Sequence, residues 1–164
     1  MIRDEVDRLV LDWRRERPDL ELDDLHILSR ISRLARRLEL ARRDAWRALQ
    51  LESWEFDVLA ALRRAGPPYE LSPGALLKAT LVSSGTMTNR LDRLVERRLV
   101  TRRTHPDDGR QVLIRLTAAG RERVDAAFET LLACERELLA PLPPDQQDAL
   151  AATLRRLLVS LADR

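Results

Sequence analysis

Apolar residues recur along most of this chain at helical spacing, and in one short stretch the period drops to two. Val6, Leu9, Val10 and Trp13 fall at i, i+3, i+4 and i+7, one face of a first helix that Pro18 closes. After Leu22-Asp23-Asp24, the positions Ile27, Ile31, Leu34 and Leu38 keep the 3.6 period with arginines outside, which predicts a long amphipathic helix to about Trp46. A third helix is expected over Ser53 to Arg64, with Trp54, Val58, Leu59 and Leu62 inward and Gly66-Pro67-Pro68 as its stop. Ser72-Pro73 reads as an N-cap followed by proline at the first helical position, opening a short helix that carries Ala75 to Ala79. A turn at Leu81-Val82 leads to a helix whose apolar face is Met87, Leu91, Leu94 and Val95, so the two make a helix–turn–helix. The runs LVTRRTH and QVLIRLT then alternate, and the Asp-Gly of PDDGR between them signals a hairpin, hence a two-stranded wing. Thr117 can cap another long helix, with Val124, Phe128, Leu131 and Leu132 inward, ended at Pro141 to Pro144. The last helix carries Leu150, Leu154, Leu157, Leu158 and Leu161 on one stripe.

The expected class is therefore mainly α, a winged helix-turn-helix with long flanking helices and β structure only in the small wing. Residues 49–116 are read as the DNA-binding region, and residues 1–48 and 117–164 as a helical platform that includes an extra N-terminal helix. The flanking stripes exceed what one winged domain covers, so they predict a homodimer. With 164 residues, 45% of them hydrophobic and 34% charged, the chain can bury a core and is no disordered polymer. Of its 29 Lys and Arg residues all but Lys78 are arginine, which favours phosphate, carboxylate or guanine-edge partners, although 27 acids nearly cancel the charge. The lone Cys134 precludes an internal disulfide, and His26 and His105 lack a common zinc spacing. No metal or cofactor is implied. No run approaches a membrane span, and MIRDEVDRLV lacks a signal-peptide core, so a cytoplasmic protein without membrane contact is expected.

In the helix after the turn, the N-terminal exposed positions are small and uncharged while the later ones, Asp92 and Glu96, would repel phosphate. Entry into DNA is thus N-terminus first, with Ser84, Thr86, Thr88 and Asn89 in the major groove and Arg93 on a base or phosphate. In the wing, Arg110 suits a narrow minor groove, with Asp108 pairing a nearby arginine to support the tip; the alternative for Arg110 is a simple exposed charge. Arg102 and Arg103 should point to opposite faces. The run SSGTMTNRLDRLVERRLVTRRTHPDDGRQVLIRLTAAGR, with Asp108-Gly109-Arg110 and a Leu-Thr-x-x-Gly helix start, resembles the DNA-binding segment of the MarR family of bacterial transcription regulators. The resemblance extends over about Leu22 to Leu161 and implies a dimer on double-stranded palindromic operator DNA.

Asp57 and Arg64 lie two turns apart on one helix face, about 10.5 Å, with Ala60 and Ala61 between them. Arg90 borders the apolar face of the second helix of the pair, and Trp13 supplies a flat ring. Such a set suits a planar anionic heterocycle through stacking, an N–H acceptor and guanidinium forks. Trp13, Asp57, Arg64 and Arg90, with VLDWRRERPDL, are similar to the urate-responsive subgroup of that family. This resemblance implies a ligand such as urate or xanthine that binds between the two regions and releases DNA. Two alternatives stand beside it: a different small anion, or Asp57 paired to Arg64 or Arg90 with Trp13 packed at the dimer. Cys134 reads as a packing thiol, His26 as structural, and Trp46 and Trp54 as core. No activated nucleophile, metal set or general-base pair is readable, so no enzyme is expected; a helical interaction protein is the competing class.

Overall fold

The computed structural model describes residues 4–80, 83–104 and 111–162. Among them are seven helices and three strands: α1 (Glu5–Glu16), α2 (Leu25–Arg47), α3 (Ser53–Arg64), β1 (Glu70–Leu71), α4 (Pro73–Thr80), α5 (Ser84–Glu96), β2 (Val100–Thr104), β3 (Val112–Leu116), α6 (Ala118–Leu139) and α7 (Pro144–Ala162). The expected turn at Leu81-Val82, the hairpin tip, Asp108 and Arg110 lie outside the described residues.

Two compact units divide between Asp44 and Ala45. In the first, Asp4 caps α1 by accepting from the backbone N–H groups of Val6 and Asp7, and the Asp7 carboxylate returns the bond to Asp4 N at 2.9 Å. Val6 and Val10 are buried, while charge ties α1 to α2: Arg30 reaches Asp4 and Asp7, both at 2.8 Å, and Arg37 reaches Glu5 at 3.0 Å. Trp13 stands 49% exposed, although its spacing put it on the apolar face.

The second unit holds the main core. Val58, Leu59 and Leu62 of α3 meet Leu76 of α4, Met87, Leu91 and Leu94 of α5, Val100 and Ile114 of the sheet, and Val124 and Ala127 of α6. Trp46 stacks on Phe56 with ring centres 4.4 Å apart and donates its indole N–H to Ala127 O at 3.4 Å. The sheet has three antiparallel strands in the order β1-β3-β2, with Thr101 opposite Arg115 and Glu70 opposite the same Arg115 on the other edge. The expected two-stranded wing thus gains β1, a two-residue strand too short to carry a period.

The start of α6 is tied to the base of the wing. Thr117 Oγ1 lies 2.8 Å from Arg98 O and 3.0 Å from Leu99 O, and it accepts the Gly120 N–H at 2.9 Å. A Cβ on Gly120 would stand 2.0 Å from Leu99 O, so only glycine permits this approach. Two residues expected inward on α6 are open in the single chain, Phe128 at 50% and Leu132 at 42%. They flank the buried side of the helix, which is made by Val124, Ala127 and Leu131. On α7 no residue is buried, and all five leucines of the stripe are exposed.

Candidate nucleic-acid interface and ligand cavity

The α5 helix is seated by Met87, Leu91 and Leu94, and that seating decides what its other faces present. Ser84, Thr86, Thr88 and Asn89 all face solvent at the N-terminal end. Ser83 and Thr86 hydroxyls lie 3.0 Å apart, and Thr88 Oγ1 bonds back to Ser84 O at 3.3 Å. The first turns therefore offer hydroxyls and an amide with no charge, beside helix N–H groups whose dipole favours an anion.

Further along α5 the charges are engaged inside the chain. Arg93 Nη2 donates to Glu52 Oε1 at 2.6 Å, and its guanidinium carbon lies 4.9 Å from the Trp54 ring centre. Arg90 sits over the same ring at 5.4 Å. The Trp54 indole N–H donates to the other Glu52 oxygen at 2.8 Å. This indole bond first, and then Arg93, hold the Glu52 carboxyl below the usual carboxylate range. Arg97 pairs with Glu55 and donates to Gln50 O at 2.7 Å. Glu55 is fully buried, and its Oε1 has no hydrogen-bond partner among the described residues. Asp92 accepts from Arg102 of β2 at 2.6 Å, which joins the wing to α5 and takes up one of the two acids that would repel phosphate. Arg103, the next residue, pairs with Glu70 at 3.3 Å. Neighbouring arginines thus serve opposite faces of the strand, as its alternation predicts.

Of the four residues expected to hold a ligand, Asp57 and Arg64 come together, lining a cavity of about 200 Å³ with Ala79 and Thr80 of α4. Arg90 is on the Trp54 ring and is not in that lining. Trp13 belongs to the first unit, where its ring borders a shallow groove along α1 with Leu9 and Asp12. Among the described residues no cluster of His, Cys, Asp or Glu could hold a metal ion, and no helix is long and apolar enough to cross a membrane.

Sequence reasoning missed Glu52, Trp54, Glu55 and Arg97. Trp54, expected in the core, does pack against it, but it is only half-buried and its ring is also a platform for two arginines. The available signal was the spacing: Arg90 and Arg93 of α5 and Arg97 at its C-cap fall at i, i+3 and i+7, and Glu52 and Glu55 make a short acidic pair at the start of α3.

Three comparisons place this geometry among known proteins. A family model described as MarR family matches residues 49–111. The HTH-type transcriptional regulator PecS of Dickeya dadantii is 34% identical over 153 residues, covering 93% of this chain and 92% of that protein. A mutant of MarR from E. coli, crystallised in complex with operator DNA, superposes with a TM-score of 0.70 at 26% identity, over 84% of this chain and 97% of the other. Bordetella bronchiseptica BpsR, solved to explain regulation of its DNA binding by 6-hydroxynicotinic acid, gives 0.67 at 26% identity over 80% and 91%.

Proposed function

The chain belongs to the MarR family of transcriptional regulators, and we propose that it is a homodimeric repressor that binds a palindromic operator and is released by a small planar anion, urate or xanthine. The observation that carries the DNA reading is the division of α5 into an uncharged exposed start and a later part whose Asp92 and Arg93, with Arg97 at the C-cap, are paired within the chain. Ser84, Thr86, Thr88 and Asn89 enter the major groove, where hydroxyls and an amide can match base edges. Arg110 reads the minor groove from the wing, supported by Asp108. The uncovered leucine stripe of α7 joins a second copy and so sets two α5 helices to two half-sites.

For release, Asp57 accepts a ligand N–H and Arg64 and Arg90 fork onto ligand oxygens. The cavity at Asp57 and Arg64 supports this chemistry. The ligand must bind better to a dimer whose α5 helices are mis-spaced, because only differential affinity moves the equilibrium. A second reading, an aromatic acid in place of the purine, is favoured by the 6-hydroxynicotinic acid of BpsR.

Gel-shift titration on DNA from upstream of the chain's own gene tests both. Binding should fall steeply with salt, and urate or xanthine should release the parent but not Arg64→Ala. Release by 6-hydroxynicotinic acid alone selects the second reading. Salt-insensitive binding, or equal release of parent and variant, overturns the proposal.

A further inference from the structure

We propose that Glu52 is an internal stand-in for DNA phosphate: in the DNA-free protein it occupies Arg93 on the Trp54 platform, and operator phosphate must displace it before Arg93 engages DNA. This rests on the DNA-binding reading of α5 and adds to it an acid on another helix that sets how strongly the operator is held.

Three observations carry it. First, the two Glu52 oxygens have separate tasks: Oε2 accepts the Trp54 indole N–H at 2.8 Å and Oε1 accepts from Arg93 at 2.6 Å. The carboxylate is therefore held in place by the indole while it binds the arginine, as a bound anion would be. Second, Trp54 meets the guanidinium over its ring, at 4.9 Å. A guanidinium held over a ring still has N–H groups to offer an anion, and the fork that fits carboxylate also fits phosphate. Arg93 can therefore exchange one anion for the other. Third, the pair is open, with the Arg93 and Glu52 side chains 55% and 56% exposed, so solvent and DNA can reach it.

Arg90 strengthens the competition. Two guanidinium groups share one indole, at 4.9 and 5.4 Å, and the Glu52 carboxylate is the counter-charge that offsets their repulsion. Neutralise Glu52 and Arg93 loses its partner while the repulsion from Arg90 remains, so the arginine turns outward. Glutamine at this position can still accept the indole N–H with its oxygen but turns an amide NH₂ toward Arg93, which ends the ion pair without removing the platform.

The test is a double-mutant cycle read by fluorescence anisotropy on an operator duplex over a range of salt, using the full chain. Glu52→Gln should bind about two- to fivefold more tightly than the parent, the range of an exposed ion pair given up. Arg93→Ala should bind more weakly and lower the salt slope by roughly one phosphate. In the Arg93→Ala background, Glu52→Gln should change affinity by less than about 1.5-fold, because the competition then has nothing to act on. Glu52→Asp, which keeps the charge and withdraws it by one methylene, should follow Glu52→Gln; it also serves if the glutamine variant fails to fold by circular dichroism. An equal gain from Glu52→Gln in both backgrounds would mean a general field effect and would overturn the proposal. So would an unchanged salt slope in Arg93→Ala while Asn89→Ala still weakens binding, and either result leaves the DNA-binding reading standing. A parent that binds no duplex overturns both.

Discussion

Between α3 and α6 the apolar stripes are covered by other parts of the same chain: Leu59, Leu62, Leu76, Leu94 and Ile114 are fully buried. Along α7 five leucines at equally regular spacing stand open, from Leu154 at 36% to Leu158 at 68%. Composition does not separate the two regions. What separates them is whether a second element of the chain lies across the stripe: α4, α5 and the sheet close over α3, and nothing buries a residue of α7. An apolar stripe is thus a core or an open face according to its neighbours. Helix α6 has both kinds, with Val124, Ala127 and Leu131 covered and Phe128 and Leu132 open beside them.

The sharpest break of this contrast is Leu157→Asp. Two carboxylates would enter a two-fold interface without partners, so self-association should weaken by at least about a thousandfold, near 4 kcal/mol, while the winged region keeps its fold. Sedimentation equilibrium beside circular dichroism reads both, and an unaltered dimer would show that the α7 stripe is not the joint. Next comes Gly120→Ala, which acts inside the covered region. The added Cβ meets Leu99 O, a backbone atom that cannot turn aside, so a loss on the order of 3 kcal/mol is expected. In a chain of this length that lowers Tm by about 6–12 °C, measurable by calorimetry.

Arg97→Ala should cost less, about 2 kcal/mol, because Glu55 is wholly buried while Arg97 is one-third exposed and water can partly replace it. Urea unfolding with an unchanged midpoint would show that the pair contributes nothing. The smallest effect concerns acid. Arg30 holds the Asp4 carboxyl below its ordinary value, and the capping bond from Asp4 followed by Arg30 does the same for Asp7. Depressed carboxyls stabilise the folded state above the unfolded carboxylate pKa, about 3.9, and that contribution fades as pH falls through the lower folded values. Amides of α1 should therefore lose hydrogen-exchange protection below about pH 4, before those of α3; a simultaneous loss would remove the distinction between charge-tied and core-tied helices.

Much of this architecture was legible from one sequence. Ser53–Arg64 declared itself through a strong period and the Gly-Pro-Pro stop, and α5 through Met87, Leu91 and Leu94. β1 was not, because Glu70 and Leu71 become a strand only by pairing with Arg115 and Ile114 more than forty residues on. The same limit hid the Trp54 platform. Helix geometry puts Asp57 and Arg64 on one face, and the structure places both on one cavity. Nothing local says that Arg93 meets Glu52 across 41 positions, since that depends on how α3 and α5 cross. Hydropathy places Trp54 against the core, where it does pack, but does not count the arginines its ring attracts.

The bond of Thr117 to the wing base gives α6 a mechanical meaning. At 22 residues the helix is a rod of about 33 Å, fixed at its start to Arg98 and Leu99 through a hydroxyl and a glycine contact and further along by Arg63 on Asp125 and by the buried Val124, Ala127 and Leu131. A load applied near Leu139 would therefore fall on Val124, Ala127 and Leu131 before it reached the wing base, so α6 is a brace for the wing and not a lever on it.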